Sequence, residues 1–193
     1  MLDAEKYISA EKKALELLID YEYIEFPLDV FEFAKKVFGA EIIKYSSLPK
    51  EKLIELNKFK ELDDSFTVFE HISDGTIHYK IYYNDDKPYY RQRYSIGHEI
   101  KHIVYGEENP TDEEELLAEY FSKVLLAPKC MVILAEVCSP AEITEKFGIG
   151  PQPASYHFAT IQKRMEKYGK EMFEYESEFL KLRDEIIEIK KKD

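Results

Sequence analysis

The stretch "SIGHEIKHIVYG", Ser95 to Gly106, sets two histidines four residues apart with a glutamate directly after the first. On a helix each residue advances about 100°, so Ile96, Ile100, Ile103 and Val104 share one stripe while His98 and His102 fall on the opposite side. Glu99 is i, i+3 to His102, so the three polar side chains form one compact group. Two imidazoles at i, i+4 can direct ring nitrogens to one metal ion at about 2.0–2.1 Å, and the intervening glutamate then stays free to act as a base. Gly97 weakens the helix by about 1 kcal/mol relative to Ala, which close packing beside such a site would explain. The competing reading is a solvated helix face that carries two histidines.

A catalytic zinc needs a third protein ligand and an open position. Downstream, "TDEEELLAEYFSKVLLAP" reads as a helix with Thr111 at its N-cap, acidic residues in its first turn and Pro128 as its stop. Leu116, Leu117, Tyr120, Phe121, Val124 and Leu125 occupy its apolar arc. Glu115 and Glu119 lie on the complementary face, whereas Glu113 and Glu114 point elsewhere and suit the helix dipole. The connection from Tyr105 to Pro110 is short enough to make the two helices antiparallel neighbours. The expected metal ligands are therefore His98, His102 and Glu115, with Glu119 accepting a hydrogen bond from the far ring nitrogen of a ligating histidine.

Outward from this pair of helices, the pattern changes with position. Upstream, "AEKKALELLIDYEY" repeats its apolar residues at three and four. "EFPLDVFEFAKKVFGAEII" then opens a second helix at Leu28-Asp29 and closes it at Gly39. "EIIKY" reads as a short strand and "SLPKEKLIELNKF" as a weak helix. Between Ser65 and Asp85 the period becomes two, with the turn signal Ser73-Asp74-Gly75, which predicts a β-hairpin. Its second run, "TIHYKIYYND", is a candidate platform for an extended peptide added as a strand. Downstream, "SPAEITEKFGIGPQPASYHFATIQKR" reads as helix, turn, helix. The tail places Met172, Tyr175, Phe179, Leu182, Ile186 and Ile189 on one amphipathic seam. The fold class is α+β, mostly helical, with a small antiparallel sheet before the histidine helix. The expected divisions are 1–135, 136–168 for the helix-turn-helix-like segment, and 169–193 for the C-terminal amphipathic helix.

The chain has 193 residues, 45% of them hydrophobic, enough for a substantial core. Its formal net charge of −12 opposes a broad basic surface for a nucleic-acid backbone. The basic residues of the helix-turn-helix-like segment are few, essentially Lys146, Lys163 and Arg164. No apolar run approaches a membrane span, and "MLDAEKYISAEKKALELLIDY" lacks a signal core, so a soluble cytoplasmic protein is expected. Cys130 and Cys138 are read as two reduced thiols.

"RQRYSIGHEIKHIVYG" and "EEELLAEYFSKVLLAP" together resemble the ImmA/IrrE family of zinc metallopeptidases, through Arg93, Tyr94, Ser95, His98, Glu99 and His102, then Glu115, Ala118, Phe121, Leu125 and Pro128. The resemblance extends over about Ala10 to Arg164. Departures are Gly97 for the usual Ala, Lys101 for Gly, Glu119 for Asn and Ser122 for Ala; none removes a ligand or the base. The resemblance implies a zincin-like domain over 1–135, one Zn2+ per chain, and hydrolysis with Glu99 as general base. It also implies a specific protein substrate, typically a helix-turn-helix transcriptional repressor of a mobile element or stress response. Candidates for stabilising the oxyanion are Tyr94, Tyr120, Tyr156 and His157, although for His157, as for His71, a structural or solvated role is the stronger reading. The rival functions are a DNA-binding or regulatory module and a zinc-binding scaffold without hydrolysis. The tail is expected to pack on the protein's own body, with a homo-oligomer or partner contact as the alternative.

Overall fold

A glycine or a short polar side chain closes or opens most of the helices, and these signals set the element boundaries. Asp29 accepts a hydrogen bond from the Glu32 amide at 3.0 Å and starts a helix that Gly39 ends in the left-handed conformation. Ser139 caps another in the same manner. Thr111 and Glu114 form a reciprocal pair, each side chain bonded to the other's backbone amide. The computed structural model describes residues 4–51 and 64–191. In order, these form α1 (Ala4–Asp20), α2 (Val30–Phe38), β1 (Glu41–Lys44), β2 (Ser65–His71), β3 (Ile77–Tyr83) and α3 (Tyr89–Tyr105). There follow α4 (Asp112–Leu126), α5 (Lys129–Leu134), α6 (Pro140–Phe147), α7 (Pro151–Tyr168) and α8 (Glu174–Lys190). The fold is α+β and mostly helical, as expected. The weak helix expected over "SLPKEKLIELNKF" lies largely outside the described residues. Among the described residues, no helix is long and apolar enough to cross a membrane.

The chain forms two compact units, Asp29–Ala118 and Met1–Leu28 with Glu119–Asp193. In the Asp29–Ala118 unit, the sheet has the order β1-β3-β2. The hairpin is antiparallel, with Gly75 at positive φ in its turn, and β1 adds to β3 in parallel, so the sheet is mixed rather than wholly antiparallel. The β1–β3 ladder matches Glu41–Lys44 to Lys80–Tyr83. Over that length β3 is therefore central and paired on both sides. An added strand could therefore join this hairpin along β2 but not along Lys80–Tyr83 of β3.

Directly opposed residues of a β-pair share a face. Ser65 with Tyr83 and Thr67 with Ile81 line one face, and Phe66 stacks on Tyr82 on the other, with ring centroids 4.9 Å apart. The first face lies against α3, whose Ile96 and Ile100 are fully buried.

In the other unit, α8 packs along α1 and α6 along α7. Ala10, Ala14 and Leu18 of α1 are fully buried, as is Phe179 of α8, so the tail packs on its own unit through Phe179 and Ile186 while Ile189 of the seam is exposed. Arg164 of α7 makes a two-pronged ion pair with the buried carboxylate of Glu176, and its guanidinium lies 4.5 Å from the Phe173 ring centroid. Cys130 is buried, Cys138 is exposed, and both are free thiols. Removing one partner of a buried, doubly bonded ion pair strands the other charge. Glu176→Ala is expected to lower unfolding free energy by about 3–5 kcal/mol in urea titration, and a loss below about 1 kcal/mol would contradict this account of the α7–α8 junction.

Candidate metal centre

Helix α3 buries Ile96, Ile100 and Ile103, while Val104 at its end is half-buried. This leaves His98 and His102 on the side turned away from that stripe, as the heptad spacing requires. Gly106 then reverses the chain. It takes the left-handed conformation and donates to the Ile103 carbonyl, while Glu107 donates its backbone amide to the His102 carbonyl at 2.9 Å. Five residues later α4 begins, and its first turn brings Glu115 back to the histidines.

The three polar ends converge. His98 Nε2 lies 2.9 Å from Glu115 Oε2 and 3.0 Å from His102 Nε2, and His102 Nε2 lies 3.7 Å from Glu115 Oε1. One ligand atom from each of His98, His102 and Glu115 falls within 4.8 Å of the others, which makes this a group able to hold a metal ion. The two histidines are largely buried, whereas the Glu115 side chain is 47% exposed. The donor set itself supplies the test of fit. Two imidazole nitrogens and one carboxylate oxygen are borderline-soft and hard donors of the kind zinc accepts, and the exposed side of Glu115 leaves access for a further ligand.

Glu99 is buried and points toward the sheet. Its Oε1 accepts from Ser65 Oγ and its Oε2 from Thr67 Oγ1, both at 2.7 Å. These two hydroxyls from β2 were not visible in the sequence reading. Their alternation along a strand that precedes the motif is the signal that could have pointed to them, since i and i+2 face the same way.

The carboxylate at the other ring nitrogen of His102, a candidate ligand, is Glu107. Its Oε2 lies 2.8 Å from His102 Nδ1. A carboxylate only accepts, so Nδ1 carries the proton and the Nε2 lone pair is left toward the ligand group. Glu119, expected in this role, is exposed on α4, and its charge acts on Lys123 one turn further on. Lys101 is fully buried, with its ammonium against both oxygens of Glu107 and 3.0 Å from the Glu114 carbonyl.

Sequence comparison completes the picture. A peptidase family model described as the IrrE N-terminal-like domain matches residues 51–156, more than half of the 193 residues. The chain belongs to this family. Neither curated proteins nor solved structures gave a match. The matched region contains His98, Glu99, His102, Glu107 and Glu115.

The four residues considered for the oxyanion sit in different settings. Tyr94 is half-buried on α3, with the Arg91 guanidinium 6.0 Å from its ring centroid. Tyr156 is 64% exposed on α7. Tyr120 is bonded to Glu11 at 2.9 Å and to Lys129 at 2.8 Å, and burial, reinforced by the Glu11 charge, pushes its hydroxyl pKa well up. His157 is fully buried, with Nε2 2.7 Å from the Ala127 carbonyl. The side chains of Tyr120 and His157 are thus engaged within their own unit, and His157 is structural. His71 is exposed and pairs with Glu108 at 2.6 Å.

Burial, aided by the nearby positive charge of Lys123, pushes the His157 pKa down to about 3 from 6.5. The folded state therefore refuses a proton that the unfolded chain accepts below pH 6.5. Stability contributed by neutral His157 is intact above that pH and declines between pH 6.5 and about 3, with a limiting slope of about 1.4 kcal/mol per pH unit. Acid titration of unfolding free energy should show this loss in the wild type and a shallower one in His157→Gln; equal slopes would refute the assignment.

Proposed function

We propose that the chain is a zinc-dependent metalloendopeptidase that holds one Zn2+ on His98, His102 and Glu115 and uses Glu99 as general base. The observation that carries this reading is the convergence of those three ligand atoms from two helices, in a chain of a peptidase family. A zinc ion held there would supply Lewis acidity, lowering the pKa of a water and polarising the scissile carbonyl.

The chain's own side chains do the rest. Glu99 accepts the proton of the attacking water and delivers it to the leaving amine. Ser65 and Thr67 hold its carboxylate in one orientation, and each oxygen retains a lone pair for that proton. Glu107 keeps the proton of His102 on Nδ1, so that Nε2 remains a donor to the metal.

The substrate is placed along the outer edge of β2 rather than on β3. Among the described residues β2 pairs only with β3, and Ser65 and Thr67 bring this strand to Glu99. An extended segment added there would gain main-chain hydrogen bonds next to the base. The substrate class that the family resemblance suggests is one specific protein, a helix-turn-helix repressor of a mobile element or stress response, cut in the cytoplasm. The net charge of −12 argues against direct nucleic-acid binding.

One observation favours a second reading, a zinc-binding regulatory module without hydrolysis: both oxygens of Glu99 are already engaged by hydroxyls. The two readings separate experimentally. Purified wild type should carry one zinc per chain by elemental analysis, and His98→Ala or Glu115→Ala should lose it. Glu99→Gln should retain zinc yet cut the rate of cleaving a co-expressed, neighbouring-encoded repressor by about 10²–10⁴-fold. Zinc binding that survives Glu115→Ala would overturn the ligand set, and unchanged cleavage by Glu99→Gln would overturn the base.

A further inference from the structure

Lys101 is a fully buried lysine whose ammonium bonds Glu107 and the Glu114 carbonyl. An ammonium taken out of water is costly unless every N–H finds an acceptor. Its three donors are matched: the two oxygens of Glu107, one of them at 2.6 Å, and the Glu114 carbonyl at 3.0 Å. The ammonium also lies 5.3 Å from the Tyr105 ring centroid.

Each acceptor leads to a different ligand. Glu107 holds His102 twice, by its backbone amide on the His102 carbonyl at 2.9 Å and by its carboxylate on Nδ1 at 2.8 Å. Lys101 fixes that carboxylate from the other side and so fixes the plane and tautomer of the imidazole. The Glu114 carbonyl belongs to the peptide unit that joins Glu114 to Glu115. The same ammonium therefore ties α3 to the first turn of α4 at the residue that carries the third ligand.

We propose that Lys101 is a positioning residue for the metal group, one buried ammonium that sets His102 through Glu107 and Glu115 through the Glu114 carbonyl. It rests on the metal reading proposed above. A structural ion pair and a positioning device differ in one respect. The former can be replaced by apolar side chains of similar volume with little loss, because the desolvation of both charges is relieved together. The latter cannot, because no apolar pair holds the Nδ1 proton of His102.

The decisive variant is therefore Lys101→Met/Glu107→Leu in the full chain, with Glu107→Gln as a single change that preserves shape. The measurements are zinc affinity by chelator competition, the visible spectrum of the cobalt(II)-loaded protein, and the thermal midpoint of the metal-free protein. Both variants are expected to bind zinc about 10–100-fold more weakly than wild type and to shift the cobalt spectrum, and the double variant should do so with a metal-free midpoint near that of wild type. Should the double variant not fold, Lys101→Met, which removes the ammonium and leaves Glu107 in place, decides the matter on affinity and spectrum. Wild-type affinity together with an unchanged cobalt spectrum in the folded variants would overturn the proposal and leave the metal reading standing. Wild-type protein that takes up no stoichiometric zinc or cobalt would overturn the metal reading itself, and Lys101 with it.

Discussion

The reversal of the chain at Gly106 is the constraint on which the centre depends. Two histidines on one helix define a line, and a third ligand must approach it from outside that helix. Gly106 in the left-handed conformation ends α3 within one turn of His102, and the six residues to Thr111 return the chain as α4. A residue with a Cβ is strained at that φ. Without the tight stop, α3 would run on and carry Glu107 away from His102, and the first turn of α4 could not meet the histidines. One backbone conformation thus serves helix termination, histidine orientation and ligand convergence.

The sheet serves the same centre by a different route. Register is strict in a strand whose one face is buried, because a slip of one residue moves every side chain to the other face. Pairing Ser65 with Tyr83 and Thr67 with Ile81 puts both hydroxyls on the face that meets α3, where Glu99 lies. Stacking of Phe66 on Tyr82 favours this register from the opposite face. Glu99 is thereby positioned by hairpin pairing, which is distant in sequence from the motif that contains it.

What was legible in the sequence was whatever local periodicity encodes. The stripe of Ile96, Ile100 and Ile103 located the histidines, and the face of α4 set Glu115 and Glu119 apart from Glu113 and Glu114. Glu107 was not legible because it sits in a turn, where spacing does not determine where a side chain points. Glu119 shares a helical face with Glu115, but on a helix four residues also advance the chain about 6 Å along the axis, and Glu107 already holds the far nitrogen of His102. The parallel addition of β1 was equally hidden, since a four-residue strand has no pattern that distinguishes parallel from antiparallel pairing. The lysine at position 101 stood out in the sequence only as a departure from the family pattern, because its burial depends on tertiary partners; among the described residues it is one of the largest fully buried side chains.

Charge balance explains why a lysine belongs there. Glu107 brings a carboxylate to His102 and Lys101 brings an ammonium to that carboxylate. Without Lys101 the Glu107 side chain, only 11% exposed, would keep its charge buried without this cationic partner. Lys101 holds that carboxylate from the side away from His102, so Glu107 can orient the imidazole through Nδ1.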